Sequence, residues 1–280
     1  MARLGANRYG KSRVRLSRIT RHADRHDFNE WTVHVLLHGN FQSSFTEADN
    51  SKILPTDTMK NTVYYVARGS KATTIEEFAM ELGDYLLHHN PQVSKTTVEI
   101  EEKPWQRMIV DGIPDATTFK LCGPDVYTVS AIRVRDGAWS ITSGVKGLTI
   151  LKTTRSAFTG YITDKLTTLK PATDRIFGTS ATVTWEYSSA SPNYAGTRER
   201  ILSALQKEFA AHNSMSVQHT LFDMGRAALE AAPEIARTTL TMPNLHHLLA
   251  DLSPFGQDNP NHIFVPIDEP HGYIEATVER

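Results

Sequence analysis

The chain has 280 residues, of which 40% are hydrophobic, and its formal net charge at pH 7 is -1. A chain of this length can bury a large core and exceeds the usual size of one domain, so we expect two domains. The net charge gives no overall attraction to nucleic acid. Basic residues do precede the first acid, Asp24, but we interpret them as solvated strand positions and loop ends. We therefore expect no nucleic-acid partner.

The sequence also excludes several locations and site types. No stretch approaches the roughly 20 apolar residues of a membrane-spanning helix, and the first residues lack the apolar segment of a secretory signal. Residues 277–280 do not form the Ser-Lys-Leu address for peroxisomes. Cys122 is the single cysteine, which excludes an internal disulfide and multi-cysteine zinc or iron–sulfur sites. We expect a cytoplasmic protein that has no membrane partner.

The first half of the chain predicts two strands, two helices and two further strands. Alternating apolar residues indicate a hairpin at the start, and helical spacing of apolar residues follows it. The predicted elements are, in order, strands at 14–19 and 31–37, helices from Asp57 and from Thr73 or Thr74, and strands at 98–100 and 126–134.

The segment before the first helix, residues 49–62, is unusually polar. Pro55 disfavours a helical conformation for the residue before it, so Thr56 or Asp57 is expected to cap the helix that follows. Thr73 and Glu76 have the spacing of a capping box for the second helix. A polar loop at a helix N-terminus is also where anions and polarised ligands bind. The segment predicts either a simple capping pair or a ligand site.

The second half repeats the order of the first. Residues 171–174, Pro-Ala-Thr-Asp, also repeat the Pro-Thr-Asp of residues 55–57, so we interpret the chain as an internal duplication with units 1–136 and 137–280. The predicted elements are strands at 139–151 and 181–187, helices from about Thr197 and from after Ser214 to before Pro233, and strands near 237–242, 262–266 and 273–278.

These patterns predict an α+β fold of two tandem ββααββ units. Each unit has an antiparallel sheet with helices on one face, which leaves the other face to be buried or to line a cavity. We expect the sheets to close into a barrel by pairing of edges between halves and between subunits.

No phosphate loop, dinucleotide fingerprint, H-E-x-x-H or G-x-S-x-G motif occurs in the sequence. The candidate chemistry lies instead in scattered polar segments, and each of these has an ordinary structural interpretation beside the functional one. The candidates are Lys11, Phe158, Arg175, Val217 and Gln218, and Asn244 with His246 and His247. In the same order, the structural interpretations are a surface lysine, a core ring, an ion pair with Asp174, a helix start capped by Ser214 or Ser216, and a Pro-Asn turn.

Together these segments resemble the urate oxidase (uricase) family. They lie in the family's order and spacing, from near the start of the chain to beyond residue 260, although Leu245 stands where some relatives have a polar or basic residue. The matching segments are Arg8-Tyr9-Gly10-Lys11, residues 49–51, 56–57, 60–62, 147–152 and 167–170, Asp174-Arg175, Ser216-Val217-Gln218 and Pro243-Asn244-Leu245-His246.

The resemblance implies a fold, an activity and an assembly. The fold is the tunnelling fold, with two ββααββ units per chain and a homotetramer whose sheets form a barrel around a tunnel. Active sites lie at the subunit interfaces. The implied reaction oxidises urate with O2 to 5-hydroxyisourate and hydrogen peroxide, with neither metal nor organic cofactor.

The resemblance also implies how urate is held. Arg175 would pair its planar guanidinium with a urate oxygen and ring nitrogen, and the Gln218 amide would bind the same edge. Phe158 would stack on the purine face. The Val217 backbone and the Thr56-Asp57 turn would hold the remaining edges, with the turn supplied by a neighbouring subunit.

Proton transfer and oxygen binding are implied for four residues. Lys11, hydrogen-bonded to Thr56 and supported by His246, would relay protons from urate. For this role Lys11 must be partly desolvated or lie near another cation. Asn244 would hold O2, or the water that attacks later, over the ring on the side opposite Phe158.

Two other classes stay open. One is a metal-dependent pterin or GTP-cyclohydrolase-like enzyme of the same fold, which would bind zinc through cysteine and histidine, although Cys122 has no histidine near it in sequence. The other is a non-catalytic purine-binding relative. The presence of Lys11, Thr56 and His246 argues against the second class.

Overall fold

The structure is a computed structural model that describes residues 2–188 and 192–280. The chain folds as two compact units, one formed by Met1–Gly144 and Ala190–Tyr194, the other by Val145–Ser189 and Ala195–Arg280. Among the described residues, no helix is both long enough and apolar enough to cross a bilayer.

Within the described residues, the first unit contains an antiparallel sheet and three helices. Neighbouring strands in the order β1-β2-β3-β6 pair antiparallel, while β4 and β5 form a separate hairpin. Its elements are β1 (Tyr9–Arg21), β2 (His26–Gly39), α1 (Gln42–Thr46), α2 (Thr56–Gly69), α3 (Ile75–His89), β3 (Val93–Lys103), β4 (Trp105–Val110), β5 (Ile113–Leu121) and β6 (Val126–Val134).

The core of the first unit lies between the sheet and α3. Alternate residues of β2 are fully buried because successive side chains in a strand point to opposite faces. Trp31 of β2 stacks on Phe78 of α3, with ring centroids 4.8 Å apart and planes 25° apart. Burial of one such ring stabilises the fold by roughly 1.5–3 kcal/mol, so this contact fixes how α3 lies on the sheet.

The second unit has the same kinds of element. β8 pairs antiparallel with both β9 and β10, β9 pairs with β12, and β10 pairs with β11. Val183 and Trp185 of β8 and Leu221 of α5 are buried in its core. The elements are β7 (Trp139–Lys152), which begins in the first unit, β8 (Phe177–Tyr187), α4 (Tyr194–Ala211), α5 (Val217–Ala231), β9 (Ile235–Thr241), β10 (Asn244–Leu249), β11 (Phe264–Gly272) and β12 (Glu275–Glu279).

The structure confirms the α+β class and the antiparallel sheets, but the predicted cap of α2 is wrong. Pro55 is the N-cap of this helix, and no side chain caps it. Asp57 instead uses its carboxylate to accept hydrogen bonds from Lys60 and Asn61. Asp57 makes these bonds because Lys60 and Asn61 lie one helical turn later on the same face of α2.

The capping box of α3 lies one residue later than predicted. Thr74, whose backbone is extended, accepts from the Glu77 N–H, and the Glu77 carboxylate accepts from the Thr74 N–H. The predicted partner, Glu76, is buried and accepts a hydrogen bond of 2.6 Å from Ser143. Because the Glu76 carboxylate is buried in this contact, Glu77 is the residue that completes the capping box.

We expect Phe78→Ala to destabilise the protein by about 3 to 5 kcal/mol, because it removes a fully buried ring and leaves a cavity beside Trp31. Urea unfolding followed by tryptophan fluorescence measures the change. Phe45→Ala is the matched control, since Phe45 is 53% exposed, and it should cost no more than about 1 kcal/mol. Equal losses in both variants would contradict this account of the core.

Candidate active site

Lys11 lies at an irregular point of β1. The strand pairs regularly with β2 up to Lys11, which is opposite Val35, and the register then shifts before Val14. Arg13 in this bulge has a φ of 57°, a conformation uncommon outside glycine. A Cβ on Gly10 would lie 1.8 Å from the Val35 carbonyl oxygen, so only glycine fits there. Bulges redirect side chains and are common next to active sites.

Tyr9 connects this part of β1 to the segment before α2. Its hydroxyl accepts from the Leu54 N–H at 2.8 Å and donates to the Leu54 carbonyl at 3.2 Å. Its ring packs edge-on against Phe41, with centroids 4.8 Å apart, and burial raises the pKa of the phenol. The phenol therefore stays protonated and fixes the chain just before Thr56.

Sequence reasoning missed this positioning role of Tyr9. The available signal was the presence of an aromatic residue in the Arg8-Tyr9-Gly10-Lys11 segment, two strand positions before the lysine. In a strand, residues two apart point to the same face. The bulge that follows begins only after Lys11.

Thr56 and Asp57 form the exposed first turn of α2. The pKa of Asp57 is lowered first by its hydrogen bond from Lys60 and then by nearby positive charges, of which Lys11 is one. Lys11 is partly buried, and its positive charge acts on Asp57 in this turn. Within residues 2–188 no hydrogen bond joins Lys11 to Thr56, so their relay stays a prediction.

Arg175 and Phe158 lie together in the second unit. The Arg175 guanidinium carbon is 5.4 Å from the centroid of the Phe158 ring, and both side chains are partly buried. The Arg175 Nε atom is buried and has no hydrogen-bond partner among the described residues. Burial lowers the pKa of Arg175, but a guanidinium stays charged at any working pH. An unpaired buried donor costs about 1–3 kcal/mol, and a planar anion would satisfy it.

Backbone hydrogen bonds hold the Phe158 loop in place. Phe158 exchanges two of them with Ala172, at 2.8 and 3.1 Å. On its other side, the Ala157 N–H donates to the Ser214 carbonyl at 2.7 Å, and the Ser214 N–H donates to the Arg155 carbonyl at 3.0 Å. These bonds bring the Phe158 loop to the segment before Arg175 and to the segment before α5.

Asp174 does not form the ion pair with Arg175 that was the alternative interpretation of this segment. Its carboxylate accepts from the Thr154 hydroxyl at 2.6 Å and from the Ser156 N–H at 3.3 Å. These hydrogen bonds, the Thr154 bond first, lower the pKa of Asp174. Asp174 therefore anchors the same loop and leaves the Arg175 guanidinium available.

Val217 and Gln218 are the first two residues of α5. Ser216 is the N-cap, as one interpretation of the sequence expected, and its hydroxyl accepts from the His219 N–H at 3.1 Å. That bond satisfies the third N–H of the helix, and the first N–H groups of a helix have no partner within it. Val217 is buried and Gln218 is exposed. The helix start is thus both capped and able to donate to a ligand.

Asn244 begins β10, so the predicted Pro-Asn turn is a strand from this residue onward. The strand separates the two histidines that follow. A Cβ on Gly178 would lie 3.5 Å from the His247 ring, which places His247 against β8. His246, the preceding residue, points to the other face of β10.

His246 lies within reach of the positive charge of Arg175. Burial, then the charge of Arg175, then that of His271, lower the pKa of His246. The imidazole is therefore neutral near neutral pH and can accept a proton. The structure thus groups Arg175, Phe158 and His246 in the second unit, and Lys11, Thr56 and Asp57 in the first.

In Arg175→Gln we expect the pKa of His246 to rise toward its ordinary value, because the substitution removes a positive charge that disfavours the imidazolium. NMR titration of the His246 ring protons measures this shift. His262→Gln is the control, since this exposed histidine does not contribute to the shift at His246. A His246 pKa that falls or stays constant in Arg175→Gln would contradict the arrangement.

The sequence as a whole is similar to known uricases. The uricase family model matches residues 7–131 and 141–275. A uricase from Arthrobacter globiformis is 39% identical over 278 residues, which covers 99% of this chain and 90% of the relative. Uricase-2 isozyme 2 from Glycine max is 38% identical over 98% of this chain and 94% of its own length.

Solved structures agree with the sequence comparison. The crystal structure of uricase from Arthrobacter globiformis has a TM-score of 0.94 at 38% identity and covers 100% of this chain and 96% of its own. A hyperthermostable mutant of Bacillus sp. TB-90 urate oxidase has a TM-score of 0.87 at 22% identity, which supports the fold alone. The resemblance seen in the sequence is confirmed, and the chain belongs to the uricase family.

Proposed function

We propose that this chain oxidises urate with O2 to 5-hydroxyisourate and hydrogen peroxide, without metal or organic cofactor. Membership of the uricase family makes it an oxidoreductase that acts on urate. The observation that carries the site assignment is the Arg175 guanidinium, which lies over Phe158 with a buried and unpaired Nε. A planar anion that stacks on the ring and accepts from the guanidinium fits this arrangement.

Urate is clamped by residues of the second unit. The Arg175 fork binds a urate oxygen and the adjacent ring nitrogen, and the Gln218 amide supplies one donor and one acceptor to the same edge. Phe158 stacks on the purine face. The free N–H of Val217 at the start of α5 stabilises negative charge on urate, as helix N-termini do.

Lys11, Thr56 and His246 move the protons. Urate must lose protons before it gives two electrons to O2, and a neutral His246 is able to accept one. Asn244 holds O2 over the ring opposite Phe158 and later holds the water that adds to the oxidised purine. Urate, O2 and water thereby give 5-hydroxyisourate and hydrogen peroxide, and positioning with anion stabilisation supplies the catalysis.

We further propose that the protein is a homotetramer whose sheets form a barrel, with Thr56 and Asp57 reaching each site from a neighbouring subunit. The separation of the candidate residues into two groups, one in each unit, supports this proposal. The division of the chain at residue 136, the cytoplasmic location and the absence of nucleic-acid and membrane partners stay predictions.

Protein that has been treated with a chelator should consume urate and O2 in equal amounts and release an equal amount of peroxide. Urate absorbance, an oxygen electrode and a peroxide assay follow the three together, with metal content measured on the same sample. Loss of turnover that returns with added metal, in protein whose Tm the chelator leaves unchanged, would favour the metal-dependent alternative. Tight urate binding without turnover would favour a non-catalytic relative.

Substitutions should separate the clamp from the relay. Lys11→Met and Thr56→Ala should lower kcat far more than they weaken binding of a urate analogue, because they remove proton transfer and leave Arg175, Gln218 and Phe158 in place. Arg175→Gln should instead raise KM strongly, with some loss of rate from misorientation. Steady-state kinetics and analogue titrations provide both quantities.

Lys165→Met serves as the control for Lys11→Met, because Lys165 is exposed and has no proposed role. It should leave kcat and KM unchanged. If Lys11→Met weakened analogue binding as much as it lowered kcat, the relay would be ruled out. An unchanged KM in Arg175→Gln would make that arginine structural.

A further inference from the structure

Two imidazoles and a carboxylate that have no assigned role in urate binding meet in the second unit. His212 directly follows α4, while His219 and Asp223 lie one turn apart on α5. One ligand atom from each residue lies within 4.8 Å of the other two. We propose that His212, His219 and Asp223 form a binding site for a divalent transition-metal ion such as Zn²⁺.

The distances suit a metal centre. Asp223 Oδ2 is 3.2 Å from His212 Nδ1 and 3.3 Å from His219 Nε2. Ligands bound at about 2.0–2.2 Å in a tetrahedral zinc site stand roughly 3.3–3.6 Å from one another. The two α5 ligands have the i and i+4 spacing that places side chains on one helix face. Small movements of the side chains are therefore enough to close the site around an ion.

Contacts around the three residues hold them for this purpose. Arg226 donates to Asp223 Oδ1 at 2.7 Å, so that the second oxygen, Oδ2, faces both imidazoles. Glu208 Oε1 lies 3.8 Å from His212 Nδ1 and can approach as a fourth ligand. In metal sites, the residues that bind the ion are typically held in place by polar contacts with other residues.

Burial leaves one side of the cluster open. The His212 and Asp223 side chains are 8% and 12% exposed, whereas that of His219 is 48% exposed. An ion can enter from the His219 side and keep water in its remaining positions.

The donor set selects the class of metal. The cluster includes two carboxylates, those of Asp223 and Glu208. Two cations balance them: Arg226, which pairs with Asp223, and Lys152, whose ammonium donates to the His212 carbonyl at 2.6 Å. The cluster therefore has no excess of negative charge to attract Mg²⁺ or Ca²⁺, which also prefer oxygen ligands. Two imidazoles favour Zn²⁺, Co²⁺, Ni²⁺ or Cu²⁺.

Occupancy would tie the end of α4 to the first turns of α5. His219 immediately follows Gln218, so a bound ion would stabilise the helix start that carries Val217 and Gln218. The proposal concerns binding and stability, and it does not depend on the proposed urate chemistry. A ligand that binds only the folded protein raises its Tm.

The test uses the untagged, full-length protein after removal of metals. Co²⁺ titration should produce visible ligand-field bands, Zn²⁺ should displace them at one ion per chain by calorimetry, and Zn²⁺ should raise Tm. His219→Gln, at a half-exposed position, should weaken Zn²⁺ binding by at least about tenfold, with folding checked by circular dichroism. Asp223→Asn should do the same, with folding checked by circular dichroism.

His88→Gln is the matched control, because His88 is an exposed helix histidine outside the cluster, and it should bind Zn²⁺ as the parent does. Zn²⁺ affinity that is equal in His219→Gln, Asp223→Asn and the parent would overturn the proposal and indicate an adventitious ion only. Absence of binding by the parent would overturn it as well.

Discussion

The hydrogen bonds that hold residues 155–158 between Ala172 and Ser214 position the second-unit candidate residues. Phe158, Arg175 and the start of α5 come from three separate stretches of sequence, and these bonds connect them. Each bond contributes only about 0.5–1.5 kcal/mol to stability, but together they leave the loop few alternatives. Because the backbone provides the scaffold, the Arg175 guanidinium is left without a structural partner for Nε and faces Phe158.

In the first unit, a tyrosine side chain and a strand bulge position the candidate residues. Tyr9 fixes Leu54 through two hydrogen bonds, and the bulge after Lys11 interrupts the regular register of β1. A strand irregularity and a helix N-terminus are thereby brought together, with the buried Phe41 packed against the Tyr9 ring. Strained or irregular backbone of this kind is retained where function needs it.

Much of the fold could be predicted from the sequence, because alternation and helical spacing act within one element. The alternation in β2 and the apolar face of α3 reflect burial directly. The β4–β5 hairpin was missed although Asp111-Gly112 is a strong turn signal, and both residues have positive φ values, 52° and 80°. β10 was missed because Pro243 and Asn244 favour a turn locally, while pairing with β11 and β8 makes the segment a strand.

The candidate site could not be predicted from local sequence patterns. The residues were found through their resemblance to a family, since nothing in the spacing of Phe158 and Arg175 reveals that one lies over the other. The cap of α2 was misassigned because Asp57 bonds to side chains one turn later in the same helix, and the capping box of α3 was misplaced by one residue because a tertiary contact decided it. At α3 that contact is the hydrogen bond between Ser143 and the buried Glu76.

The central claim is that Lys11, Thr56 and Asp57 of one subunit complete the site formed by the second unit of another. Thr56→Ala and Arg175→Gln chains, dissociated and reassembled together, should recover about a quarter of parental activity, since random assembly gives that share of intact sites. Lys11→Met mixed with Thr56→Ala should stay inactive, because both changes affect the same half. No recovery in hybrids whose mixed composition is verified by mass spectrometry would contradict the shared site.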